Sequence, residues 1–224
     1  MNPSTTHFKN LGGLSALING IAYIIGLGLA LTLLAPTMQA DPATQVAFMA
    51  QNQTLLALWH LCIYLIAGVF MVPLSLAFHE RLKAGSVALV QTATAFGLIW
   101  AVTIIGSGML NINDLGVVSR LHSQNPEQAV TVWMALSAVE RGLGGAIELP
   151  GGIWTLLVSL AALQTRQLPT ALNVLGILVG SAGILTVLPV LSDLGSVFGL
   201  GMVLWFLWAG IVLMGKPSRK AVLA

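Results

Sequence analysis

Leu11–Leu34 reads LGGLSALINGIAYIIGLGLALTLL and contains no Asp, Glu, Lys or Arg. About 20 helical residues cross the hydrocarbon core of a bilayer, so this run is long enough to span one. It is also too long for the roughly 7–15 residue apolar core of a signal peptide. Lys9 before it and Met38-Gln39-Ala40 after it therefore flank a retained first span. Similar runs follow near Leu55–Phe78, Ser86–Ile112, Leu143–Leu163, Ala171–Leu191 and Ser196–Met214. They are continuous and rich in Leu, Ala and Gly, whereas membrane strands show short alternating segments. The fold expected is all-α: a polytopic transmembrane helical bundle of about six spans, forming one domain over residues 1–224.

Composition points the same way. Of 224 residues, 57% are hydrophobic and 7% are charged, with a mean hydropathy of +0.92. Soluble domains carry about 25% charged residues because their surface faces water. A chain this poor in charge must present most of its surface to lipid, so the bilayer is its first partner. The net charge of +2 is spread between apolar runs, which excludes a nucleic-acid footprint. The single cysteine, Cys62, lies inside an apolar run and reads as a small packed hydrophobe.

Orientation follows from Lys and Arg in the short loops, which favour the cytoplasmic side. Lys9, Arg81, Lys83, Arg166, Lys216, Arg219 and Lys220 fall on one side if the spans alternate. The other side holds Arg120, Asp41, Asp114, Glu127 and Asp193, with Arg141 near it. Both termini are then cytoplasmic.

The segment from Glu127 to Leu163 would be about 55 Å long as one helix, nearly twice a bilayer. It is expected to break near Gly142–Gly145 or at Pro150-Gly151-Gly152, since proline removes a backbone hydrogen bond. Pro126–Val139 then becomes an external amphipathic helix, and Thr44–Asn52 a second short surface helix.

Ionisable groups within apolar helices mark the places where chemistry can occur. Glu148 falls in the outer third of the fourth span. Arg141, two helical turns earlier, falls on nearly the same stripe about 10 Å away, and Glu140 lies on a neighbouring face. His60 enters the second span from the same outer side. These four groups form a candidate ligand-binding pocket for a small polar solute or a proton. The structural alternative is an Arg–Glu clamp that fixes helix packing. Asn111, Asn113 and Asp114 close the third span at that side, as pocket lining or as an outer cap. Asn19 and Tyr23 are expected to make an interhelical hydrogen bond.

Other site motifs are weak. His7, His60, His79 and His122 are scattered and form no metal-binding spacing, so no metal is expected. No phosphate loop or dinucleotide fingerprint is present, so no cofactor is implied. Ser107, in Gly106-Ser107-Gly108, with His60 as base would make an intramembrane hydrolase; helix packing explains the motif better. Gly176-x-x-x-Gly180 and Gly195-x-x-x-Gly199 are read as close-packing sites within the bundle. Trp59, Trp133, Trp205 and Trp208 are read as interfacial anchors, and Trp100 and Trp154 as core.

The last third reads LPTALNVLG at 168–176, GILTVLP at 183–189, VFGLG at 197–201 and WFLWAGIVL at 205–213. With the opening Leu11-Gly12-Gly13-Leu14, these runs resemble the bacterial membrane family called domain of unknown function four-three-eight-six. The resemblance covers the first span and the last two. It implies a bundle in a bacterial cytoplasmic membrane and carries over no catalytic residue. Three function classes stay open: a small-solute or proton-coupled carrier, a membrane scaffold or accessory subunit, and an intramembrane hydrolase. A non-enzyme is favoured.

Overall fold

The computed structural model describes residues 3–38, 40–145 and 148–215, and among them the chain is almost entirely helical, with no strand. Helix α1 (Pro3–Leu29) passes through a π-helical turn at Ala30–Leu34 into α2 (Ala35–Met38). A short helix, α3 (Pro42–Gln51), follows, started by the Asp41 side chain. Then α4 (Gln53–His60), a π-helical turn at Leu61–Ile66 and α5 (Ala67–Leu82) form one long rod. Helix α6 covers Val87–Gln124, and α7 covers Pro126–Glu140 and ends in a π-helical turn at Arg141–Gly145. The chain closes with α8 (Leu149–Thr165), α9 (Thr170–Leu185) and α10 (Leu194–Met214).

Four helical stretches are long and apolar enough to cross a membrane: Asn10–Thr37, Gln53–Leu82, Val87–Gln124 and Leu194–Met214. Their outward faces are oily. Leu31 is 71% exposed, Val102 69% and Ile211 64%. Contiguous exposure of this kind is not sustained in water. Helices α8 and α9 are apolar but shorter, with 17 and 16 residues. Each is roughly 25 Å long, slightly under a bilayer's ~30 Å core.

Six helices pack as a closed ring: α1 on α5, α5 on α6, α6 on α8, α8 on α9, α9 on α10, and α10 back on α1. The middle of the ring is filled by aromatic rings from four helices. Trp154 packs edge-on against Trp205 at 5.4 Å between centroids, and Phe78, Trp100 and Phe206 surround the pair. Glycines allow the closest approaches. A Cβ on Gly152 would sit 2.6 Å from the Ile184 backbone nitrogen, and one on Gly180 would sit 2.7 Å from the Gly152 carbonyl oxygen. Gly176 and Gly180 thus pack α9 into the bundle. Gly195 and Gly199 do not do this for α10: a Cβ on Gly199 meets nothing within 4 Å.

Several expected boundaries move. The third span does not stop at Ile112, because the helix continues to Gln124. No proline or capping residue interrupts it before Asn125-Pro126, where Asn125 accepts from the Gln128 amide and starts α7. At ~57 Å, α6 overreaches a bilayer and carries α7 with it. There Val46, Val118 and Ala129 join α3, α6 and α7 in a small apolar headpiece, with Trp133 and Leu136 packed on it. The surface helix expected at Thr44–Asn52 is α3, two residues earlier. The fifth helix ends at Leu185 rather than Leu191, and Pro189 begins a separate 3-10 turn. Trp205 is not an interfacial anchor: it is fully buried, because its side of α10 faces the ring interior, while Trp208 stays 38% exposed. Asn19 makes no interhelical bond. Its amide donates to the Ser15 carbonyl of its own helix, and its Oδ1 has no hydrogen-bond partner. Lys216, Arg219 and Lys220, used for orientation, lie outside the described residues.

Candidate functional site

The break in the fourth segment falls at Glu148. Its backbone (φ −89°, ψ 24°) leaves the helical region just before α8, and Pro150 occupies the first turn of that helix. Proline is tolerated there because first-turn amides have no intrahelical acceptor. The Glu148 amide donates to Thr186 Oγ1 at 2.9 Å, and that hydroxyl donates to the Gly183 carbonyl at 2.7 Å. The broken helix is therefore anchored to the C-terminal end of α9.

This anchoring places Glu148 at the rim of a small cavity, about 10 Å³, that Tyr64, Trp100, Thr103, Ser107 and Pro150 also line. A volume of that size is about that of one water. Tyr64 reaches from the π-helical turn after α4 and donates its hydroxyl hydrogen to Glu140 Oε1 at 3.2 Å. Tyr64 therefore touches Glu140 and lines the same cavity as Glu148. Tyr23 of α1 packs its ring on Phe206 at 5.7 Å. Two carboxyls and the Tyr64 phenol, from separate parts of the chain, thus converge beside this cavity.

The remaining sequence candidates divide. His60 is buried, with its ring 5.7 Å from Tyr64 and 5.0 Å from Trp59, and its Nδ1 has no hydrogen-bond partner. Asn111 is half-buried and donates to the Ser107 carbonyl at 2.9 Å. Arg141 is exposed and makes no ion pair; among the described residues the only ion pair is Lys83–Glu80 at 2.6 Å. The Arg–Glu clamp is therefore not formed. A shared stripe for Arg141 and Glu148 requires an unbroken α-helix, and the π-helical turn at Arg141–Gly145 followed by the break changes the phase. Ser107 Oγ is buried without a hydrogen-bond partner, so no Ser107–His60 dyad exists. No group of three potential metal ligands occurs among the described residues.

Sequence reading missed Tyr64 and Thr186 as members of this site. Tyr64 carried a readable signal, since it lies one helical turn below His60. The π-helical turns at 30–34, 61–66 and 141–145 carried none, although such turns gather at functional sites.

Fold and site together define a class: a helical membrane protein with two carboxyls near a one-water cavity, neither in an ion pair among the described residues. The chain belongs to the family described as Domain of unknown function (DUF4386), which it matches over residues 11–214. That match runs through the middle helices as well as the first and last. No curated protein and no solved structure matches the chain.

Proposed function

We propose that this chain is a six-span protein of the bacterial cytoplasmic membrane, with both termini cytoplasmic, that serves as a proton-coupled carrier of a small polar solute. Glu148 and Glu140 are its proton-exchanging pair, in a pocket that faces outward. The observation that carries this reading is Glu148 at a helix break, beside a cavity that Tyr64 also lines while bonded to Glu140, with neither carboxyl in an ion pair among the described residues. Acidic groups are kept in apolar helices at a cost and mark ion or proton paths. Broken helices at such depth are a recurrent way for carriers to build their sites. The closed ring of six helices supports the span count. The two short helices fit if the bilayer thins slightly beside α8 and α9.

A scaffold is the second reading, and the size of the cavity favours it: about 10 Å³ holds no solute larger than water without rearrangement. The discriminating experiment uses reconstituted vesicles with an entrapped pH dye, challenged with a panel of small amino acids, sugars and amines. Solute-dependent proton entry in the wild type, absent in Glu148→Gln of unchanged melting temperature, is the expected result. Solute-dependent proton entry that persists undiminished in Glu148→Gln overturns the carrier reading. So does a panel-wide absence of proton entry in correctly folded wild type.

A further inference from the structure

The cavity at Glu148 is closed on its inner side by Trp100 and the aromatic cluster beneath it. On its outer side a file of polar groups leads away from it. Ser107, Asn111 and Asp114 follow one another at i, i+4 and i+7 along α6, so they share one face of that helix. This face is turned into the protein: Ser107 is 1% exposed and Asp114 7%. The second span runs antiparallel beside it. Gly108 of α6 abuts Tyr64, and Gly116 approaches Gln53. That register places His60 level with Asn111, between the cavity below and Asp114 above.

Two buried polar atoms on this seam lack hydrogen-bond partners, Ser107 Oγ and His60 Nδ1. A buried polar group without a partner is destabilising. In a seam beside a water-sized cavity, such atoms are suited to hold water or pass a proton. At the outer end, the exposed Asn113 donates to Asp114 Oδ1 at 3.4 Å, linking the seam to the surface. Val46, Val118 and Ala129 pack together one turn of α6 beyond Asp114, and Asn113 is the exposed polar group at this end of the file.

We infer that His60 is a proton relay between the outer surface, entered at Asn113 and Asp114, and the Glu148 cavity. This inference rests on the proton-exchanging role given above to Glu148. A proton taken from outside water by the Asp114 carboxylate passes to a nitrogen of neutral His60. His60 releases a proton through the cavity water beside Tyr64 and Ser107 to the Glu148 carboxylate. His60 returns to its neutral form, so one proton enters and one arrives. The titratable groups facing the path are Tyr64, Tyr23, Glu140 and Glu148 at its inner end and Asp114 at its outer end. His60 is a relay, not a residue that binds the solute.

The test follows protonation of Glu148 by infrared difference spectroscopy on the full chain in lipid nanodiscs after an external pH jump. The band is assigned by its loss in Glu148→Gln. In His60→Ala the band should appear with the same final amplitude but roughly a hundredfold more slowly. Added imidazole should restore the rate. Asp114→Asn should slow it similarly, and His60→Gln guards against an effect of the cavity left by Ala. An unchanged rate in both His60 variants, or slowing that imidazole does not relieve, overturns the relay. If no band titrates even in the wild type, the proton-exchanging role of Glu148 fails first, and the relay fails with it.

Discussion

The Tyr64 hydroxyl donates to Glu140 Oε1 at 3.2 Å and so ties the second membrane rod to the end of helix α7. The two residues are 76 positions apart. Each lies at or beside a π-helical turn, Tyr64 within Leu61–Ile66 and Glu140 just before Arg141–Gly145. An i→i+5 turn shifts the phase of all side chains beyond it relative to an unbroken α-helix, so these turns decide which groups meet here.

Tyr64→Phe removes that bond and keeps the ring. Hydrogen bonds between membrane helices contribute about 1 kcal/mol, so a destabilisation of this size is expected in a detergent unfolding assay. Glu140→Gln, which can still accept, should lose less. Equal stability of the Tyr64→Phe and wild-type proteins would show that the contact is not made.

Glycines on two helices should behave oppositely. Gly152→Ala drives a methyl group against the backbone of α9 at Ile184 and Gly180, so α8 and α9 must separate. Overpacking of this kind costs about 1–3 kcal/mol. Gly199→Ala enters open space in α10 and gains helix propensity, up to roughly 1 kcal/mol. Melting temperatures should therefore fall for the first and hold or rise for the second; a reversed order contradicts the packing described.

Helix α3 is pH-sensitive at its start. Asp41 accepts from the Thr44 hydroxyl at 2.6 Å and from the Thr44 and Ala43 amides. These bonds, the Thr44 hydroxyl first, hold the carboxyl below its ordinary value of 3.8. A depressed folded-state value means that the cap's contribution is complete above about pH 3.8 and is lost as pH falls through the lower folded value. Amide exchange at Gln45 should speed up at that acid end in the wild type. Asp41→Asn should keep most of the cap and lose the pH dependence. A pH dependence that survives in Asp41→Asn must come from another group.

Topology can be read with fused reporters. Reporters placed after Arg81 and after Arg166 should be cytoplasmic, and one near Asp41 external. The structure gives the first two sites a common address: Arg81 Nη2 donates to the Gln167 carbonyl at 3.1 Å, so both loops lie at the same end of the ring. The reverse reporter pattern would invert the proposed orientation and turn the Glu148 cavity toward the cytoplasm.

Much of the helical framework was readable from residue type alone. Helices were expected wherever apolar runs exceed a bilayer's width, and the starts marked by Asp41-Pro42 and Asn125-Pro126 are capping signals that any segment of chain would carry. The end of α6 was misjudged because Asn111, Asn113 and Asp114 look like an outer cap. In the folded protein Asp114 is buried against other helices and the helix continues past it. Glu148 and Glu140 were singled out for the expense of burying charge, and the Arg–Glu clamp weighed against an open pocket placed Arg141 beside them. The shared stripe of Arg141 and Glu148 held only for a continuous α-helix, and the break expected near Gly142–Gly145 removes it.

The sequence by itself determined the solvent and the helical character, because the preference of each side chain for oil or water is local and adds along the chain. The order of the ring, the inward turn of Trp205 and the meeting of Tyr64 with Glu140 were decided only in three dimensions. They depend on glycine-to-backbone contacts between different helices and on the phase set by π-helical turns. Neither can be read from the order of residues, because both arise when helices distant in sequence are packed together.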